Sequence, residues 1–288
     1  MRIKPLFTES IKELKVSDAA STNSTRGSDE PYRATASLPS SLPIRFEKCD
    51  ALQNEEGVAQ TMGQIVHIFA QLFPLERLDE IVFRGDYWSI VEQYRLQTYQ
   101  FDVRDDEGSV QNVHVNLAPK ISAEGAQRSF PVYPAELAAQ LDVQEGDMPA
   151  HATIYTIAFQ LASASHREML DRCFPGFLWK GVDDQWEAAL QPIVERTLTL
   201  YFSARFCATI MPAVVAGSAE ACLVQLIEAR DQIPRLRREY FADSNMQQLL
   251  SSIVDHMSRV FEYVALTLGH SRSTGTDLLS NNSLRESF

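Results

Sequence analysis

The sequence predicts an α+β fold, with a small N-terminal sheet accompanied by helices and then a long-helix C-terminal bundle. Three observations predict it. In VQNVHVNLAP, Val113, Val115 and Leu117 alternate with polar residues, the period of a half-buried strand. From Ser244 to Leu268, Met246, Leu249, Leu250, Ile253, Met257, Val260, Phe261, Val264 and Leu268 keep three-and-four spacing, the period of a helix with one apolar face. Between them, HATIYTIAFQLASASHREMLD (His151 to Asp171) is apolar nearly all the way round, which a helix covered on several sides requires.

The elements follow in order. Residues 17 to 42 are rich in Ser, Thr, Ala and Pro and offer little apolar area to offset ordering entropy, so residues 1–42 read as a flexible tail. From Glu55 to Leu72, Val58, Met62, Ile65, Val66 and Phe69 recur at helical spacing, and Pro74 closes the helix. LDEIVFRGDYWSIVEQYRLQ predicts a strand at Asp79 to Phe83, a turn at Gly85-Asp86 and a helix after Asp86. Asp105, Asp106 and Glu107 ahead of Gly108 predict a hairpin turn. Ser129 to Tyr133 reads as a further strand, and Pro134 opens a short helix to Leu141. Phe174-Pro175-Gly176 breaks the chain after the central helix. From Asp183 the chain reads as helix almost to its end, with Pro234 expected to break or kink it. The polar stretch 271–288 reads as a second flexible tail, leaving 43–270 as a single domain.

Composition narrows the function classes. The chain has 288 residues, 45% of them hydrophobic, and a formal charge of −12, which repels a phosphate backbone and argues against nucleic-acid binding. Arg235, Arg237 and Arg238 form the one dense basic run, and Glu239 follows it, as on a solvated helix face. Cys49, Cys173, Cys207 and Cys222 are far apart and form no CxxC pair, so they suit a reducing cytoplasm better than a zinc knuckle. No run is long and uncharged enough to predict a membrane span or an export signal. G-x-S-x-G, the P-loop and G-x-G-x-x-G are absent. His166, Glu168, Asp171 and Cys173 cluster in sequence, but His166 and Glu168 are two apart and face different sides of a helix while Cys173 falls at the Phe174-Pro175-Gly176 break, so the charges read as surface groups. His114 reads as a partly exposed strand residue.

Three short stretches carry a resemblance. TIAFQLASA (Thr156 to Ala164), LYFSAR (Leu200 to Arg205) and ALTLGH (Ala265 to His270) follow the upstream LDEIVFRGDY in the order helix, small sheet, central helix, long helices. This resembles the minimal zinc metallopeptidases, the zincins, in a branch of intracellular bacterial proteins. In that family a helix bears H-E-x-x-H and a later helix supplies a third ligand. The two His sit one turn apart on a single zinc, and the Glu acts as general base on the metal-bound water. On that resemblance Phe159 stands at the first His, Gln160 at the Glu, Ser163 at the second His and Leu200 at the third ligand. Phe and Leu have no donor atom, and a neutral Gln takes no proton at pH 7. The resemblance therefore implies a pseudoenzyme with no cofactor and no bound metal. It would act by protein or peptide binding, with Tyr155, Tyr201 and Arg205 as candidate groove-lining residues. Two alternatives stay open: a hydrolase with an unidentified active site, and a helical oligomeric structural or assembly protein. The oligomeric state is not legible.

Overall fold

A computed structural model describes residues 38–39, 41–104, 109–123, 126–142, 150–176 and 184–276. The fold is α+β. β1 (Ile44–Glu47), helix α1 (Glu55–Ala70) and β2 (Ile81–Arg84) form a parallel strand–helix–strand unit. A late strand, β7 (Val132–Pro134), pairs parallel with β2 on its other side, so β2 lies in the middle of a three-stranded sheet. Ile81, Val82 and Phe83 are all buried, as a central parallel strand covered on both faces demands. Their alternation sorts them. Phe83 stacks on Phe46 with ring centroids 5.4 Å apart and joins the main core, whereas Val82 turns to a smaller cluster with Ile90, Phe130 and Val132. Ile90 comes from α2 (Tyr87–Gln93), the short helix expected after Asp86.

β3 (Thr98–Arg104) and β4 (Val110–Asn116) form an antiparallel hairpin that buries Tyr99, Phe101, Val103, Val113 and Val115 and exposes His114. The turn expected at Asp105 to Glu107 lies outside the described residues. β5 (Lys120–Ala123) and β6 (Ala126–Ser129) make a second hairpin. One expectation needs correction here: Ser129 to Tyr133 is not one strand. Ser129 ends β6, Phe130 and Pro131 cross over, and Val132 begins β7 in a different sheet. Pro131 has no N–H to give a ladder, but its carbonyl accepts from the Val82 N–H at 3.0 Å and so leads the chain into the pairing with β2.

α3 (Ala135–Leu141) begins at its N-cap Pro134 as expected. The central helix α4 (His151–Cys173) buries Ile154 through Ser165 apart from Thr156, so the all-round apolar pattern was read correctly. α5 (Gln185–Cys207), α6 (Val214–Asp243) and α7 (Met246–Thr274) complete the bundle. α6 runs through Pro234 without ending there, so the proline does not break the helix. Pro234 and Arg230 are exposed, so the carbonyl that the missing N–H leaves without a helical partner lies on the solvent side of the helix. A left-handed Ser244 turns the chain, and Asn245 caps α7 by accepting from Gln248 N at 3.0 Å. α7 packs along α5 at Gly269, where a Cβ would lie 2.5 Å from the Tyr201 carbonyl oxygen. It reaches Thr274 and closes on the left-handed Gly275, so helix occupies the first part of the stretch assigned to the C-terminal tail. At the other end, Leu38 and Leu42 pack against the core, within the stretch assigned to the N-terminal tail. The rest of both tails lies outside the described residues.

Candidate functional site

α4 presents a polar stripe, Gln160, Ser163 and Arg167, spaced three and four apart along its length. The stripe grips the end of β4 and the link to β5. The Gln160 amide Nε2 donates to Asn116 Oδ1 and, at 3.2 Å, to the Val132 carbonyl. Ser163 Oγ accepts from the Ala118 N–H at 2.9 Å and donates to the Gln160 carbonyl. The Arg167 guanidinium donates through Nη1 to the Ala118 carbonyl and through Nε to Glu195 Oε1 of α5 at 2.5 Å.

The four positions that the resemblance singles out are all interior. Phe159 and Leu200 are fully buried, and Gln160 and Ser163 are held in the contacts just given. α4 and α5 run antiparallel, since Arg167 meets Glu195 and His166 Nδ1 meets Thr199 Oγ1 at 3.1 Å. That register sets Leu200 level with the Ser163 turn. Of the candidate groove residues, Tyr155 is fully buried and lines no open groove. Its hydroxyl is 2.7 Å from His270 Nε2 on α7. Tyr201 is half-buried and Arg205 exposed, and neither lines the cleft described below.

The hydrogen-bond partners fix the tautomer of His270. Ser218 Oγ gives its one proton to the Val215 carbonyl, so at 2.9 Å it accepts from His270 Nδ1–H, and His270 Nε2 accepts from Tyr155. Burial lowers the pKa of this ring to about 3. The same reasoning puts the proton of His166 on Nδ1, because Thr199 Oγ1 donates to the Glu195 carbonyl. Burial lowers His166 to about 4, against the pull of Glu195.

The group read as surface charges on α4 is a second correction: Glu168 and Asp171 are buried, and so is Arg167 beside them. Glu168 accepts from the Arg77 backbone N–H at 2.9 Å and Asp171 from the Gly176 N–H at 2.9 Å, so these carboxylates tie down the loop after α1 and the turn after α4. Arg77 also reaches Asp171. Cys173 is exposed, as a position at the break implies. Among the described residues no three His, Cys, Asp or Glu side chains group to hold a metal ion. No described helix is long and apolar enough to cross a membrane.

An open cleft of about 490 Å³ lies where α2 ends, the β4–β5 link passes and α4 meets α5. Its charged lining is Arg95, Lys120, Arg167, Glu195 and Arg196, and Tyr94, Tyr99, Leu117 and Pro119 supply apolar wall. Glu195 takes Arg167 on one oxygen and Lys120 on the other at 3.3 Å. Burial raises the Glu195 carboxyl, but these two cations outweigh it and hold the group below the usual carboxylate range. Burial pushes the Lys120 ammonium down, against the pull of Glu195. Arg196 donates to Gln97 Oε1 at 2.8 Å and lies 3.6 Å from the buried Glu262 of α7.

Arg95 ends α2. Its N–H meets the Glu92 carbonyl at 3.1 Å, and the Leu96 N–H meets the Val91 carbonyl at 2.8 Å, the two bonds of a Schellman turn. The position adopts φ 49°, a left-handed backbone that usually calls for glycine. None of the charged cleft residues was singled out from sequence. Arg167 carried a legible signal, since it continues the helical stripe begun by Gln160 and Ser163. The cleft itself joins segments distant in the chain. No protein family, curated protein or solved structure matches this chain.

Proposed function

We propose that this chain is a catalytically inactive, zincin-like protein that works by binding a protein or peptide inside the cell. One observation carries the reading. At the four positions where a zincin would hold its zinc and base, two side chains are buried hydrocarbon and two fasten α4 to β4 and its link to β5. An active site of this class needs an open coordination position and a water beside it. Gln160 Nε2 instead donates to Asn116 and the Val132 carbonyl and Ser163 Oγ accepts from the Ala118 N–H, and Phe159 and Leu200 add to the packed core. The test restores the missing chemistry. The variant Phe159→His, Gln160→Glu, Ser163→His, Leu200→Glu should bind zinc and rise in melting temperature when zinc is added. A rebuilt protein that folds yet ignores zinc removes the zincin basis of the proposal.

A second reading, a helical assembly protein, has its own observation. α7 leaves Met246, Leu250, Ile253, Met257, Phe261 and Leu268 exposed at three-and-four multiples along about 33 Å of helix. Sedimentation velocity decides it: self-association abolished by Met257→Lys favours assembly, and a monomer at high concentration sinks it.

A further inference from the structure

The cleft between the end of α2, the β4–β5 link, α4 and α5 holds more cationic side chains than its one carboxylate can use, in a chain whose net charge is −12. Arg95, Lys120, Arg167 and Arg196 face it with Glu195, and counting Glu262 behind Arg196 still leaves a surplus of two positive charges. We infer that this cleft binds a small organic anion, an oxyanion head on an apolar body. Glu195 accounts structurally for Arg167 and Lys120. It does not account for Arg95, which makes no ion pair among the described residues. Nor does it use the remaining donors. Arg167 spends Nε and Nη1 on Glu195 and Ala118, and Arg196 spends them on Pro192 and Gln97. Each keeps Nη2 uncommitted among the described residues, and a guanidinium fork suits a carboxylate or phosphate.

The backbone supplies independent support. A Schellman turn asks for glycine at the place where this chain puts Arg95 at φ 49°, directly on the cleft. A strained position kept by a charged residue points to a use for its side chain. Tyr94, with the edges of Leu117 and Pro119, then provides the apolar surface for the body of the ligand, in a volume ordinary for small-molecule sites. The proposal does not depend on the zincin reading, because none of the four vestigial positions lines the cleft.

Two natural sources share this chemistry: a carboxylic acid, free or at a peptide C-terminus, and an organic phosphate. Calorimetry and ligand-observed NMR on the full chain would use N-acetylphenylalanine, its uncharged amide, phenyl phosphate and inorganic phosphate. An acid probe should bind with a Kd on the order of 1 mM, as its size allows, and the amide at least tenfold more weakly. Preference for N-acetylphenylalanine assigns the carboxylate source and preference for phenyl phosphate the phosphate source. Inorganic phosphate bound as tightly as phenyl phosphate would contradict the apolar body. Arg95→Gly, which the left-handed backbone accepts, should keep the melting temperature while weakening binding at least fivefold. Lys120→Met should also weaken it. No binding of either acid at 10-fold above that Kd overturns the proposal, and so does binding that both variants leave unchanged.

Discussion

Acidification should unfold this protein partly through His270, and the structure sets the size of the effect. The ring is fully buried between Tyr155 and Ser218, and burial holds its pKa near 3. In the unfolded chain the same ring titrates near about 6.5. Between these values the unfolded state binds a proton that the folded state refuses, so stability is full above about pH 6.5 and falls as pH drops toward the folded value. At about 1.36 kcal/mol per unit, lowering pH from 7.5 to 5.5 removes about 1.4 kcal/mol through this one ring. The lower limit stays above the sequence pI of about 5.0, where solubility is poorest. Urea unfolding of the wild type and of His270→Gln at both pH values isolates the contribution. Gln removes the titration, so the variant should lose about 1.4 kcal/mol less than the wild type over that interval, whatever its baseline stability. If both proteins lose the same amount, the imidazole is not held neutral in the folded state and the buried Tyr155–His270–Ser218 network is wrong.

Three further outcomes follow from packing. Phe159→Ala should cost about 3–5 kcal/mol in equilibrium unfolding, because the ring is fully buried against Tyr155 in the core; a loss under 1 kcal/mol would place it at the surface. Gly269→Ala should cost about 2 kcal/mol although alanine favours helix, since its Cβ would stand 2.5 Å from the Tyr201 carbonyl oxygen; a gain in melting temperature would mean that α5 and α7 are not in close contact there. Glu195→Gln should cost about 3 kcal/mol by leaving Arg167 buried beside a neutral partner, and chemical denaturation that shows no change would disprove the ion pair.

Periodicity alone determined the fold class and the longer elements, though not the strands β1, β3 and β5. The alternation at Val113 and Val115 and the largely apolar surface of α4 report burial through the geometry of a single strand or helix, whereas the long stripe of α7 reports the helix but not its burial, since Met246, Leu250, Ile253, Met257, Phe261 and Leu268 stay exposed. Element ends marked by Asp86, Pro134 and Phe174-Pro175-Gly176 were legible for the same local reason, because caps and breakers act on their own few residues. Tertiary structure decided the rest. Sequence pattern prices a charge as exposed, yet Arg167, Glu168, Asp171 and Glu195 are buried, since each meets a partner 28 or more residues away or a backbone N–H across a turn. Pro131 divides an apparently single strand because its two halves pair with different neighbours, β5 and β2, which a one-dimensional pattern cannot name. The cleft was invisible for the same cause: Arg95 ends one helix, Lys120 opens a strand, and Arg167 and Arg196 ride on two others, so their shared surplus of positive charge exists only once long-range packing has brought four distant segments around one space.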